Sequence, residues 1–495
     1  MDDRQQLEIS LSEQEGIRRD KLKALQQEGR DPFLITRFDQ EIHSADVVAR
    51  YDELEDKTVR IAGRMTSKRI MGKASFLHLL DLKGTIQVYA RRDDIGEEAY
   101  AQFKQMDIGD MLGVTGKVFK TKTGEVSIHA ESILLLTKSI KVLPEKFHGL
   151  KDPDLRYRQR AVDLIVNPEV RDTFIKRSRI ISEMRRYFDS LGFLEVETPI
   201  LNTVASGASA RPFMTHHNAL DFDMHLRIAL ELRLKQLIVG GLERVYEIGR
   251  TFRNEGMDAT HNPEFTMMEL YQAYTNLDGM MEIAEGVISH CARKVLGDTK
   301  VTFQGQEIDL TPPFARLSMN DAVKQYTGED FLACESDEAA HALAKKLGMH
   351  VEDKTATKGR LLVEAFDAFA EDKLIQPVFI TDYPVEVSPL AKKKPGCPGI
   401  TERFELFIAG SEYANAFSEL NDPVDQRERF VQQAKERLKG DDEAMVIDED
   451  FCESLEYGMP PTGGIGIGVD RLIMLLTDSA TIRDVLLFPT MKPRN

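Results

Sequence analysis

Apolar residues recur at helical spacing over residues 11–27, and Gly29 followed by Asp31-Pro32 closes that stretch, as a C-terminal glycine and a trailing proline do. From Thr58 to about Leu136 the period drops to two, the mark of half-buried strands. One strand begins at Val59-Arg60-Ile61-Ala62-Gly63. Residues 76–80 and 85–90 flank a Lys83-Gly84 turn, and 111–119 and 125–129 flank a second turn at Thr123-Gly124. About five short strands in some eighty residues predict a small closed β-barrel of the oligonucleotide-binding (OB) kind, whose open face serves nucleic acids.

A charged, proline-containing passage over 141–160 reads as a linker. Beyond it, long helices alternate with strands. An amphipathic helix over 175–191 ends at Gly192; a strand over 193–196 follows and stops before Pro199. Residues 322–371 are mostly helical and predict an inserted subdomain. Residues 463–469 form a glycine-laced strand running into a helix from about Arg471. The expected organisation is an N-terminal helical extension at 1–57, the barrel at 58–140, the linker at 141–160, and an α+β domain at 161–495 with a helical insertion at about 320–375.

Composition narrows the class. A chain of 495 residues is too long for one core, and 42% hydrophobic with 30% charged residues suits a soluble globular protein. No apolar run follows a basic head at the start, and no stretch nears the roughly 20 apolar residues of a membrane span. Cys291, Cys334, Cys397 and Cys452 are scattered with no CxxC pair, against a zinc site or disulfide framework and in keeping with the cytoplasm. The net charge of −17 does not suggest a nucleic-acid binder, yet phosphate contact depends on local patches. Arg60, Arg64, Lys68, Arg69 and Lys73 have no acidic residue among them. A solvated strand face and a binding surface both fit.

Four stretches carry candidate chemistry. Phe252-Arg253-Asn254-Glu255, a short polar loop and His261-Asn262-Pro263-Glu264-Phe265 read as two antiparallel strands joined by a loop. Arg253 there can hold a phosphate and Phe265 can stack on a purine, although an arginine near a glutamate is in isolation a surface ion pair. In Gly464-Ile465-Gly466-Ile467-Gly468-Val469-Asp470-Arg471 the glycines recur every second residue inside a strand, so a ligand can lie against the backbone. A dinucleotide loop needs its glycines in the turn instead. Glu405 and Glu412, at the two ends of the 405–412 stretch, are costly to bury without a cation, whether arginines or Mg²⁺, which takes one or two carboxylates. Residues 413–422, with Glu269 and Tyr271, offer acidic and hydroxyl groups with aromatic walls, a set suited to an ammonium on a flexible chain.

Together these stretches resemble the class II aminoacyl-tRNA synthetases, and within them the bacterial lysyl-tRNA synthetases, over nearly the whole chain. The helix into Glu195-Val196-Glu197-Thr198-Pro199 resembles motif 1, which builds the dimer interface in that class. Phe252 to Glu255 resembles motif 2, and Gly466 to Arg471 resembles motif 3. The lysine assignment rests on 207–213, 261–271 and 415–422. The resemblance implies a cytoplasmic homodimer that joins L-lysine to tRNA(Lys) with ATP and Mg²⁺. Its α+β fold would pair a five-stranded OB barrel with a catalytic domain on an antiparallel sheet flanked by helices.

By the same resemblance, Arg253 contacts the substrate carboxylate and the α-phosphate, and Arg471 the γ-phosphate. Glu255, His261 and Phe265 hold ATP, and Glu405 and Glu412 carry Mg²⁺. Gly207 and Glu231 take the α-amino group of lysine, while Glu269, Tyr271, Asn415, Phe417 and Glu419 line its side-chain pocket. Phe76, Gln87 and Glu125 sit where the family meets anticodon uridines. The sequence departs from the family pattern at Ser206, Leu230, Arg233, Ser411, Ala414 and Ala416. Ser411, where a basic residue commonly precedes the second metal-site glutamate, bears most on ATP affinity, and the two alanines predict a slightly tighter pocket.

Overall fold

The computed structural model describes residues 3–144, 150–204, 207–438 and 445–494, and Ser206 lies outside them. The chain forms two compact units, 1–151 and 152–495.

In the first unit α1 (Asp3–Gln27) precedes five strands: β1 (Thr58–Met71), β2 (Ala74–Leu80), β3 (Thr85–Arg91), β4 (Met111–Lys120) and β5 (Val126–Thr137). They close into a barrel in the order β1-β2-β3-β5-β4. Alternation decides what fills it: Leu77 and Leu79 are buried inside, while Phe76 and His78 face out, half exposed. At Gly116 a Cβ would lie 2.2 Å from the His129 carbonyl oxygen, so only glycine lets β4 and β5 approach there. Helix α2 (Glu97–Gln105) packs Tyr100 and Phe103 into the core. The segment ahead of the barrel joins this core as well: Val47 is fully buried in it, and Ile42, Tyr51 and Leu54 pack against it. Three residues of the basic patch are engaged within the unit. Arg60 pairs with Glu41, Arg64 donates to the Gly109 carbonyl, and Lys68 donates to the carbonyls of Lys104 and Met106.

In the second unit the stretch expected to be linker turns out differently. Pro153–Arg158 and Arg160–Val166 are helices; Asp152 caps the first by accepting from two backbone amides, and Pro153 starts it, as proline at a first helical position does. Arg160 is buried, pairs with Asp163 and donates to the carbonyl of Leu487 at 2.9 Å. Tyr157 donates to Asp484 at 3.0 Å. A buried arginine needs such partners, and they fix this stretch to the C-terminal end of the unit. Residues 145–149 of the expected linker lie outside the described residues.

The unit is built on eight strands: β6 (Leu194–Glu195), β7 (Arg244–Phe252), β8 (Glu264–Ala273), β9 (Ala315–Ser318), β10 (Val378–Thr381), β11 (Arg403–Ile408), β12 (Ser411–Ser418) and β13 (Thr462–Gly468). Their order is β9-β10-β11-β12-β13-β8-β7-β6. The sheet is mixed rather than wholly antiparallel, because the outermost pair at each edge is parallel. Helices α3 (Pro168–Ser190), α5 (Leu277–Leu296) and α9 (Val469–Thr477) contribute to one core with Met268, Leu270, Phe404, Leu406, Ile465 and Ile467 of the strands. With a period of two, the intervening residues face the opposite side. There α4 (Glu231–Val239) lies, its Leu232 and Leu234 in a second core with Tyr271. Helices α6 (Met319–Thr327), α7 (Asp337–Lys346) and α8 (Lys358–Phe369) form the insertion around a core of their own, including Val323, Phe331 and Phe366.

Candidate active site

Two rows of residues cross the middle of the sheet on the face away from α3, α5 and α9. Pairing register aligns Glu405, Asn415, Gly466 and Glu269 in one row. The next holds Arg403, Phe417, Gly464 and Tyr271. Glycine in the central strand of both rows leaves a trough between the β12 and β8 side chains. A Cβ on Gly464 would lie 2.0 Å from Oε1 of Glu419 and 2.5 Å from the Tyr271 ring. The trough opens into a cavity of about 560 Å³, a size that holds a small ligand.

One end is acidic. Glu269, 5% exposed, accepts from the Leu230 amide at 3.0 Å and from the Tyr271 hydroxyl at 3.0 Å. Burial, and then the charge of Glu231, push its carboxyl up to about 7, against the opposing pull of those donors and of Lys235. Glu231 opens α4, and Gly207 is held at φ +91°, a conformation that favours glycine. Glu231, Glu269, Tyr271, Asn415, Phe417 and Gly207 all line the cavity. Glu419 does not. It is fully buried beside Gly464 and Tyr271, and its Oε1 has no hydrogen-bond partner. That buried carboxylate is nevertheless not short of a cation. Glu419 already faces one, Lys235, whose ammonium also meets Glu231 at 2.5 Å.

The other end is cationic. Arg253 stands over the Phe265 ring at 5.3 Å, and its buried Nε has no partner. Arg471 donates to the Glu412 carbonyl at 2.6 Å and approaches the His261 ring at 3.4 Å. Glu255 and His261 are exposed at the rim. Between the ends, Glu405 pairs with Arg403 and accepts from Tyr383 at 2.8 Å. Burial and then Glu405 raise Glu412 to about 7, although three arginines pull it down. Two carboxylates on adjacent strands, one destabilised by the other, form a donor set that fits Mg²⁺ shared with phosphates.

In the other unit, Phe76 meets Tyr89 at 5.0 Å between ring centres, and Tyr89 meets His129 at 5.1 Å. Gln87 donates to Glu125 at 3.0 Å. Phe76, Gln87 and Glu125 therefore share one outer face of the barrel, over an aromatic platform that includes Tyr89 and Phe119.

Residues 59–136 match the family of OB-fold nucleic acid binding domains, and 152–492 match the class II tRNA synthetases (D, K and N). Curated relatives agree along the chain. A lysine–tRNA ligase of Thermoanaerobacter pseudethanolicus is 58% identical over 485 residues, covering 98% of this chain and 97% of its own length. One from Clostridium acetobutylicum is 59% identical, covering 96% and 93%, and one from Clostridium perfringens 59%, covering 98% of each. The chain belongs to the lysine–tRNA ligases.

In this member of the ligase family, Lys235, Arg403, Tyr383 and the Leu230 amide are site groups that the motifs did not single out. Lys235 had a signal: Glu231 and Lys235 stand four apart on a helix otherwise apolar at Leu232, Leu234 and Ile238, a spacing that pairs charges. Among the departures, Leu230 supplies an amide donor that proline would lack. Arg233 donates to Gln236. Ala416 sits in the core and, among the described residues, is absent from the cavity wall, so it does not tighten the pocket.

Proposed function

We propose that the chain activates L-lysine with ATP, forming lysyl-adenylate and pyrophosphate, and then passes the lysyl group to the 3′ hydroxyl of the terminal adenosine of tRNA(Lys). One observation carries this: a single cavity, lined by Glu231 and Glu269 at one end and by Arg253 and Arg471 at the other. The acidic end suits an amino acid with two ammonium groups, and the cationic end a triphosphate.

The lysine carboxylate is already ionised, so its attack on the α-phosphorus needs no general base. Catalysis is positioning plus charge stabilisation. Arg253, with an unpartnered Nε, holds the carboxylate against the α-phosphate. Phe265 stacks on the adenine, Glu255 and His261 hold the nucleotide at the rim, and Arg471 meets the γ-phosphate. Glu405 and Glu412 would hold Mg²⁺, whose contribution is to neutralise phosphate charge. Gly207 and Glu231 take the α-ammonium; Glu269, Tyr271, Asn415 and Phe417 surround the side chain, and Glu419 acts on it from behind that wall, buried beside Gly464. An aspartate carboxylate would be repelled there, and an uncharged side chain would leave carboxylates unpaired.

Phe76, Gln87 and Glu125 receive anticodon bases by stacking and hydrogen bonding. The working form is a cytoplasmic homodimer. Exposed Leu194, Ile200, Leu201 and Met214 near the motif 1 segment support a second subunit, and among the described residues no helix is long and apolar enough to cross a membrane. ATP–pyrophosphate exchange with a panel of amino acids tests the assignment. Lysine alone should support exchange; exchange driven by aspartate or asparagine overturns it.

A further inference from the structure

We propose that Lys235 is a built-in countercharge that sets the acidic pocket to accept two ammonium groups and no fewer. The inference rests on the lysine reading above and concerns how that selectivity is built. Three carboxylates meet at this end of the cavity, Glu231, Glu269 and Glu419, and one internal cation stands among them. Lys235 and Glu419 are both fully buried. The Lys235 ammonium contacts both Glu231 and Glu419 and lies over the rings of Phe417 at 5.2 Å and Phe451 at 5.9 Å. Burial alone would depress its pKa, but Glu231 and Glu419 outweigh that and hold the ammonium charged.

Burial pushes Glu419 well above the usual carboxylate range and Glu269 up to about 7, so the fully ionised pocket is the state that bound cations stabilise, and it carries three negative charges and one positive. The excess of two matches the α- and ε-ammonium groups of lysine, while the substrate carboxylate goes to Arg253. Oε1 of Glu419, left without a partner beside the trough, is the acceptor that Lys235 does not consume. Without Lys235, a bound lysine would leave one buried carboxylate unbalanced. Without Glu419, Lys235 itself would become the unbalanced charge. A buried charge stripped of its partner is the costly case; removing both partners is far less so.

The two residues should therefore couple with a change of sign, which a double-mutant cycle measures. In lysine-dependent ATP–pyrophosphate exchange, Lys235→Met should raise the KM for lysine about tenfold, and Glu419→Gln about a hundredfold. In the Glu419→Gln background, Lys235→Met should lower the KM for lysine, because Glu231 and Glu269 alone then face two ammonium groups. The KM for ATP reports an intact fold and should stay within about twofold throughout. If Lys235→Met alone does not fold, the comparison of Glu419→Gln with the double variant still decides, since neither partner of the ion pair is stranded in the latter. An equal rise of the lysine KM in both backgrounds makes Lys235 a structural residue and overturns the proposal. Absence of lysine-dependent exchange in the unmodified protein instead overturns the functional reading.

Discussion

The barrel face and the catalytic trough both gather aromatic rings and carboxylates, yet they handle charge in opposite ways. On the barrel, Glu125 is exposed and already bonded to Gln87, and Phe76 is half exposed against Tyr89. Water screens those groups, so each is worth little until a base arrives. In the trough, Glu269, Glu419 and Lys235 are buried, and an Arg253 nitrogen and a Glu419 oxygen lack partners. There each charge is costly until a ligand matches it. The barrel face is screened by water, and the trough is not.

The sharpest way to break that contrast is Arg253→Ala, which removes the guanidinium whose buried Nε has no partner. Adenylate formation should fall at least about 10³-fold, and near-normal exchange would end the assignment of Arg253. Phe76→Ala probes the other side. Aminoacylation efficiency should fall about thirtyfold through lost stacking while exchange is untouched; a variant normal in both steps removes the barrel from tRNA selection.

Acidity sharpens the comparison further. Glu269 titrates near 7 because burial and Glu231 raise it, and only its ionised form can pair with an ammonium. The KM for lysine should thus rise as pH falls through 7, by at most about tenfold per unit, and level off above about 8. Leu230→Pro deletes the amide that holds Glu269 down and should move the inflection upward. A flat profile between about pH 6 and 8 contradicts this. The smallest effect belongs to Ser411→Arg. Arg403 pairs with Glu405 and Arg471 lies near Glu412, so a further arginine should change the KM for ATP less than about twofold. A larger drop would mean that Ser411 leaves the triphosphate under-neutralised.

Local patterns were legible in the sequence wherever one element carried them. Alternating glycines at 464, 466 and 468 identified a strand against which something lies, and period two identified the barrel, while the outward side of Phe76 came from the structure. What required the third dimension was partnership across long separations. Glu419, just past the end of β12, finds Lys235 of α4 only through the fold, and nothing near either residue announces the other. Arg60, Arg64 and Lys68 form an unbroken basic run in one dimension, yet they turn to Glu41 and to backbone carbonyls of other segments. Likewise the charges of 153–160 suggest a linker until Arg160 is seen buried against the carbonyl of Leu487.

The strand that floors the trough is the last in the chain, yet it lies at the heart of the sheet, between β12 and β8. During synthesis, then, two hydrogen-bonding edges stay open until residue 468 has emerged, and the substrate groove has no floor before that moment. The second unit therefore completes its groove only once β13 is in place, and until then those edges are its point of greatest exposure to mispairing.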